Sequence, residues 1–335
     1  SGVTAANWGP LSTGASTSNF AVNFNPSSAG GLSGQVIHLV NNFDNVQEQN
    51  VALTGSVYRL AAASAHTPEP VAFGVVHVGD TVGQSLSVTN TAANDGFSEK
   101  LDGGIAPTTG GVTASGSFSL LNPGSTSAAL SVGINTAAAG IKNGTATISL
   151  VSNGSGTSGL SNTNLTSQTV NVTGQVNFFA DPVIIFKSGS ATLTMQSPTQ
   201  FTLDFGSVQP NSGNYMAMFG VQNFLHDAVF QDSLGGQFDI SMIGNFGASG
   251  TDPFSGIGPN SEVDPSVSFN SAMAVGTYTG RITVNPTSTN TSGTSNLNAI
   301  QLNLTATIIP EPSSWALGAA GGSLLVALQR FRRRR

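Results

Sequence analysis

The sequence predicts an all-β protein built from tandem two-sheet sandwiches. Three observations lead to this prediction: apolar and polar residues alternate along short segments, one closing segment occurs three times, and small polar turns separate the segments. Alternation with a period of two is typical of strands that bury one face. Charged residues make up only 8% of the 335 residues, so the turns consist mainly of Gly, Ser, Thr and Asn.

The closing segments align without a gap. They read QNVALTGSV (49–57), QTVNVTGQV (168–176) and IQLNLTATI (300–308). Apolar residues at alternate positions predict a strand with one buried face in each of them. These positions are Val51, Leu53 and Val57, then Val170, Val172 and Val176, then Leu302, Leu304 and Ile308.

A turn of the form Gly-x-x-x-Gly and a second strand precede each closing segment. The turns begin at Gly30, Gly140 and Gly276, and the strands that follow read GQVIHLV, GTATISL and GRITV. If the first copy has the same register as the other two copies, the His38 side chain faces inward. A slip by one residue buries Ile37 and Leu39 instead. The sequence is compatible with both registers.

The front halves of the repeat occur in two copies only. VAFGVVHVGDTVGQSLSVTN (71–90) and LDFGSVQPNSGNYMAMFGVQN (203–223) share Phe-Gly-x-Val, a turn and a strand that ends Val-x-Asn. The stretch FLHDAVFQDSLGGQF (224–238) is expected to be an insertion of the last copy. The predicted domains are 1–60 (the back half of a sandwich), 61–69 (a linker that contains Pro68, Glu69 and Pro70), 70–178, 179–309 and a tail, 310–335.

These repeats resemble the choice-of-anchor D and Hydin-like (ASH) immunoglobulin-like domains. The front motifs match the beginning of those domains, and the glycine turn with the VNVTG strand matches their end, over most of residues 20–309. The resemblance implies tandem immunoglobulin-like β-sandwiches, of which the first is incomplete. Its motifs are structural, so it implies a fold and no particular activity.

Residues 1–60 are expected to form a few antiparallel strands that are incomplete as a domain. A partial sheet leaves an apolar face and unpaired backbone edges, which are costly in water. The strands are therefore expected to lean on the next copy or to remain mobile. A truncated start and donation of the missing strands by another subunit are the two explanations, and faster proteolysis within 1–66 than within 70–178 is expected.

The tail has three parts in a fixed order. Pro310, Glu311 and Pro312 interrupt the preceding sheet, and an uncharged run, 315–328, follows as a short apolar helix. A spanning helix needs about 20 apolar residues, so this run is short for a permanent anchor. The basic cluster that follows resists translocation and is expected to stay cytoplasmic. Its members are Arg330, Arg332, Arg333, Arg334 and Arg335.

This order resembles the PEP-CTERM sorting signal of Gram-negative bacteria. The resemblance implies recognition and cleavage near Pro310–Pro312 by an exosortase, with transient inner-membrane anchoring through 315–328. It further implies delivery to the cell surface or the extracellular matrix, in company with exopolysaccharide. A second Pro-Glu-Pro, at 68–70, has no such context and is interpreted as the linker.

Composition excludes several classes of function. Residues 1–309 hold five basic and fifteen acidic residues, a formal charge of −10, so no nucleic-acid partner is expected. The chain has no cysteine, which excludes thiol catalysis and disulfides. Gly154, Gly156 and Gly159 match G-x-G-x-x-G, but a polar loop follows them rather than a helix, so no cofactor is expected.

The titratable residues give no catalytic constellation. His38, His66, His77 and His226 are scattered and are interpreted as surface or strand residues. Acidic residues follow both Val-x-Asn strands, and calcium is an alternative there to ordinary solvated loops. These acids are Asp95, Glu99, Asp102, Asp227 and Asp232.

The sequence therefore predicts an exported, non-enzymatic structural or adhesive protein of the cell surface, with no catalytic, cofactor or metal site. The alternative is a module that binds polysaccharide or protein through polar loops, such as 152–167 and 286–298. These loops lack the aromatic platform on which sugars stack, which favours the structural hypothesis.

Overall fold

A computed structural model describes residues 2–3, 7–18, 22–23, 26–41, 45–310 and 329. Between residues 2 and 310 the described chain consists of strands and turns, as predicted. Two compact units can be distinguished. The first comprises Ser1–Phe73, Thr81–Asn135 and Ile141–Gly174, and the second comprises Gly74–Asp80, Thr136–Gly140 and Gln175–Arg335.

The N-terminal region contains two strand pairs. Its strands are β1 (Gly2–Val3), β2 (Val22–Asn23), β3 (Gly30–Leu39) and β4 (Gln49–Val57). β1 pairs with β2, and β3 pairs with β4, both antiparallel. Among residues 7–18, 22, 26–41 and 45–60, none is buried, as expected of strands that lack a second sheet.

The β3–β4 hairpin adopts the slipped register. Ile37 pairs with Val51 and Leu39 with Gln49, and the register shifts between Leu32 and Gln35. Ile37 and Leu39 are consequently half-buried, and His38 is exposed. The shift moves every following side chain to the opposite face of the strand.

Residues 61–177 supply ten strands. They are β5 (Val71–His77), β6 (Gln84–Thr89), β7 (Lys100–Pro107), β8 (Val112–Ser115), β9 (Ser117–Leu121), β10 (Thr126–Ile134), β11 (Gly140–Ile141), β12 (Gly144–Asn153), β13 (Thr163–Asn164) and β14 (Gln168–Asn177). One sheet has the order β6-β10-β8, and the other has the order β11-β14-β12-β7-β9, with β5 also on β14. Residues 61–69, expected to be a linker, instead form bridges at Ala63 and Thr67 with Asn90 and Ser87.

Residues 178–310 supply twelve strands. They are β15 (Pro182–Gly189), β16 (Thr192–Ser197), β17 (Gln200–Val208), β18 (Asn214–Asn223), β19 (Ser233–Asp239), β20 (Phe246–Ser249), β21 (Phe254–Ile257), β22 (Glu262–Val263), β23 (Ser266–Asn270), β24 (Gly276–Asn290), β25 (Gly293–Asn296) and β26 (Ile300–Ile308). They form the sheets β15-β18-β23-β20 and β16-β17-β26-β24-β19-β21.

This strand order is that of an immunoglobulin sandwich. The first, second, fifth and fourth strands of that fold form one sheet, and the third, sixth and seventh form the other. β15, β18, β23 and β20 occupy the first set, and β19, β24 and β26 occupy the second. In the first unit, β6, β10 and β8 correspond to β18, β23 and β20, and β7, β12 and β14 correspond to β19, β24 and β26.

The core of the second unit lies between its two sheets. Phe205 of β17 approaches Phe269 of β23, with ring centroids 6.3 Å apart. Both rings are nearly or completely buried, as are Ile282 and Leu302, which face each other across β24 and β26. Burying such a side chain stabilises the fold by about 1.5–3 kcal/mol. The equivalent pair of the first unit, Ala146 and Val170, is buried in the same register.

Candidate functional site

The loop end of the first unit is organised around a buried asparagine. Asn90 follows β6 and has no exposed surface. Its Nδ2 donates to the carbonyls of Glu99 (3.2 Å) and Leu121 (3.1 Å). Its Oδ1 accepts from the backbone N–H of Ala62, 3.2 Å away. One side chain thus joins three separate segments, and each buried polar atom has a partner.

The second unit repeats this arrangement. Asn223 ends β18 and is fully buried. Its Nδ2 donates to the carbonyls of Asp232 (3.0 Å) and Ile257 (3.1 Å), and its Oδ1 accepts from the N–H of Asp181 (3.0 Å). Asp232 and Ile257 occupy the positions of Glu99 and Leu121, at the start of the third strand and the end of the edge strand.

A buried carboxylate lies beside each asparagine. In the first unit, Glu99 is 2% exposed. Ser152 of β12 donates to its Oε2 and Ser158 of the following loop donates to its Oε1, both at 2.7 Å. The Ser152 Oγ also accepts from the N–H of Ala61, 2.7 Å away. A buried charge is expensive unless it receives hydrogen bonds, and here both carboxylate oxygens do.

The equivalent carboxylate of the second unit, Asp232, has more partners. Ser288 of β24 donates to its Oδ2 at 2.9 Å, and the N–H of Ala180 donates to Ser288. Asn177 donates to its Oδ1 at 2.9 Å. Asn290 contacts both oxygens, at 3.2 and 3.0 Å. We call each group of asparagine, carboxylate and serine a polar hub: Asn90, Glu99 and Ser152 in the first unit, and Asn223, Asp232 and Ser288 in the second.

A histidine completes the second hub. His77 Nε2 lies 2.9 Å from Asp232 Oδ2, and its ring stacks on Phe179 with centroids 3.5 Å apart. Burial alone would raise the pKa of Asp232, but hydrogen bonds from Asn177, His77 and Ser288 lower it below its usual value of 3.8. Asp232 is therefore an ionised anchor.

Ser288, His77 and Asp232 are the residue types of a serine-hydrolase triad, but they are connected differently. In a triad the histidine lies between serine and aspartate and removes the serine proton. Here the serine and the histidine both bond to the same oxygen of Asp232. Ser288 is also 1% exposed, so its hydroxyl is held as a structural donor and faces no substrate.

Two of the other three histidines also pair with carboxylates. His66 Nε2 lies 2.8 Å from Glu69, and His226 Nε2 lies 2.9 Å from Asp181. His66 is 7% exposed, so its interpretation as a surface residue is wrong. Burial would raise the pKa of Glu69, but hydrogen bonds from His66 and Asn171 lower it.

The structure separates the acids that the sequence grouped together. Glu99 and Asp232 are buried in the hubs, so the solvated-loop interpretation is wrong for these two. Asp95 pairs with Arg59 at 2.7 Å, and Asp102 accepts the N–H of Leu120 at 2.6 Å. Among the described residues, no group of three or more His, Asp or Glu side chains converges in a way that could hold a metal ion.

The loops above the hubs have the same length. Asn90 and Glu99 are nine residues apart, and so are Asn223 and Asp232. The expectation of an insertion at 224–238 is therefore wrong, because 224–231 replaces 91–98 residue for residue. Gly154, Gly156 and Gly159 lie in the loop between β12 and β13, and the Gly154 carbonyl accepts from Thr157, Ser158 and Gly159.

The predicted tail lies almost entirely outside the described residues. Pro310 is described and exposed. Glu311, Pro312, the apolar run 315–328 and the arginines at 330 and 332–335 are outside them. Within the described part of the chain, no helix has the length and apolar character needed to cross a membrane.

Comparison with protein-family models and with curated proteins gives no match. Among solved structures, the chain is similar to the ASH/PapD-like domain of human CEP192 (12% identity, 36% of this chain and 87% of that one, TM-score 0.25). It is also similar to CfaE, the adhesive subunit of CFA/I fimbria of enterotoxigenic Escherichia coli (12%, 83% and 94%, TM-score 0.25). A third is the CupB6 tip adhesin from Pseudomonas aeruginosa (11%, 75% and 99%, TM-score 0.23). These TM-scores are low, and the immunoglobulin-like topology follows from the strand order alone.

Proposed function

We propose that this chain is an exported, non-enzymatic structural or adhesive protein of the cell surface or extracellular matrix. The observation that carries the proposal is the order of elements in the tail: Pro310-Glu311-Pro312, an uncharged run, then five arginines among the last six residues. This order resembles the PEP-CTERM sorting signal, whereas the internal Pro-Glu-Pro at 68–70 lacks both later elements.

The three parts of the tail have separate roles in this proposal. The uncharged run 315–328 enters the inner membrane transiently, since it is shorter than the roughly 20 residues of a stable span. The arginines hold the C terminus in the cytoplasm. An exosortase-type enzyme then cleaves near Pro310–Pro312 and releases the sandwiches to the exterior, where exopolysaccharide is a candidate partner.

The body of the protein suits a structural role. Each hub uses buried, hydrogen-bonded side chains to fasten loops that would otherwise move. Both oxygens of its carboxylate accept hydrogen bonds, and in the second unit the serine and the histidine are bound to that carboxylate. These groups hold loops in place and leave no activated nucleophile at the hub.

The mass of the secreted protein tests this proposal. Protein recovered from the exterior of the native host is expected to end near Pro310–Pro312. A variant with the five tail arginines replaced by serine is the matched control, and we expect it to remain unprocessed. An intact mass that still includes Arg335 in the exterior fraction would contradict the proposal.

A further inference from the structure

The loop that follows β18 exposes three large apolar side chains. Phe224 is 50% exposed, Leu225 is 43% exposed and Val229 is 72% exposed. We call these three residues the apolar tip. Apolar side chains scattered over a surface are ordinary, but a group on one short loop marks an interaction site when the fold does not require it.

Polar contacts hold the loop beneath the tip in one conformation. The Asp227 Oδ1 accepts the N–H groups of Val229 (2.7 Å) and Phe230 (2.8 Å). The buried Gln231 side chain donates to the carbonyl of Phe224 (2.7 Å) and accepts from the N–H of His226 (2.8 Å). The tip is therefore presented on a preorganised frame, which reduces the entropy lost on binding.

The first unit shows that the fold does not need these apolar residues. Its loop has the same length, and the positions of Phe224, Leu225 and Val229 are occupied by Thr91, Ala92 and Gly96. That loop is closed by its own contacts: the Ser98 hydroxyl donates to the Ala93 carbonyl at 2.6 Å, and the Asp95 carboxylate accepts from the Phe97 N–H at 3.0 Å. Loops of equal length thus carry small residues in one unit and large apolar residues in the other.

The charges around the tip define the partner. Two carboxylates lie on the same unit beside this loop and form an acidic rim: the Asp181 side chain is 49% exposed and pairs with His226, and Asp227 is half-buried. Residues 1–309 carry a formal charge of −10, which opposes both a second copy of this chain and an anionic membrane. A partner surface that combines an apolar recess with basic residues complements the apolar tip and the acidic rim.

We propose that the apolar tip docks into an apolar recess bordered by lysine or arginine on another protein. The tip residues fill the recess, and the acidic rim pairs with its basic border. This inference uses only described residues of the second unit and does not depend on the fate of the tail.

Selection from a random peptide library displayed on phage, against the immobilised full chain, tests the proposal. Peptides that bind are expected to combine aromatic or aliphatic residues with lysine or arginine. The test variant is F224T/L225A/V229G, which installs the residues at the equivalent positions of the first unit's loop and leaves the frame residues Asp227 and Gln231 unchanged. We expect the variant to bind the synthesised peptides with an affinity at least about tenfold lower than that of the wild type. Higher salt is expected to lower the affinity further.

The matched control is Leu160→Ser, which removes a 58% exposed leucine far from the tip in sequence and is expected to leave peptide affinity unchanged. Circular dichroism establishes that both variants fold. Peptides that bind the tip variant as tightly as the wild type would overturn the proposal, as would binders without basic residues. Tip-dependent binding to phosphatidylcholine vesicles, or a tip-dependent dimer in sedimentation, would also overturn it, because the occupant would then be a membrane or a second copy.

Discussion

The two polar hubs occupy equivalent positions and solve the same problem with different groups. Glu99 reaches two serine hydroxyls, one of them in the loop after β12. The Asp232 side chain is one methylene shorter than that of Glu99, and its carboxylate contacts Asn177 and His77 in addition to Ser288. The fold therefore requires an anchored carboxylate at this position, and the residues that anchor it can vary.

Removing the carboxylate tests this difference most strongly. We expect Asp232→Ala to destabilise the second unit by about 3–5 kcal/mol, because several buried donors lose their partner. Glu99→Ala is expected to lower the free energy of unfolding of the first unit by less, about 2–3 kcal/mol, since only two hydroxyl donors lose their acceptor. Hydrogen exchange measured by mass spectrometry reports the stability of each unit separately, on β18 and β24 for the second unit and on β6 and β12 for the first. Equal losses in both would show that the additional partners of Asp232 contribute nothing.

Acid provides a second, smaller test. The pKa of Asp232 is lowered in the folded protein, so the unfolded chain binds a proton first as the pH falls. The stabilisation is present above the unfolded value of about 3.8 and is lost as the pH drops through the lowered, folded value. Protection of β18 and β24 is expected to fall over this range in the wild type.

Asp232→Asn is expected to flatten that pH dependence, while Glu69→Gln does the same for the first unit only, because the pKa of Glu69 is also lowered. An unchanged pH profile in Asp232→Asn would mean that Asp232 is not the group responsible.

The smallest effect is expected where the loops differ at the surface. Arg59 and Asp95 form an ion pair at 2.7 Å in which both side chains are exposed, and such pairs contribute little. Arg59→Ala is therefore expected to leave the exchange of β7 unchanged within error. A clear loss of protection in β7 would show that the exposed Arg59–Asp95 pair stabilises the first unit.

The sheets could be predicted because their evidence is local. Ala146 and Val170 face each other as Ile282 and Leu302 do, and the alternating residues of the closing segments specify these pairs. The register of β3 and β4 could not be chosen, because Ile37 and His38 fit opposite registers equally well. Without a covering sheet, no burial pattern distinguishes the two.

The hubs were missed because their residue types are common in this chain. Asparagine and serine occur in almost every turn, so Asn90 and Ser152 offered no contrast with their neighbours. The available signal was the equal spacing from Asn90 to Glu99 and from Asn223 to Asp232. It was hidden by treating 224–238 as an insertion, since the apolar residues of that loop do not resemble the small ones of 91–98.

The parallel pairing of β17 with β26 determines how the second unit responds to force. Seven residue pairs connect these strands, from Gln200 opposite Gln301 to Val208 opposite Ile308. A pull on the N-terminal end of β17 and the C-terminal end of β26 acts along the strands in opposite directions. All the backbone hydrogen bonds between them are then loaded in shear at once, instead of opening one after another from an end. A pull applied to these two strand ends is therefore expected to meet more resistance here than at an antiparallel hairpin that opens from its end.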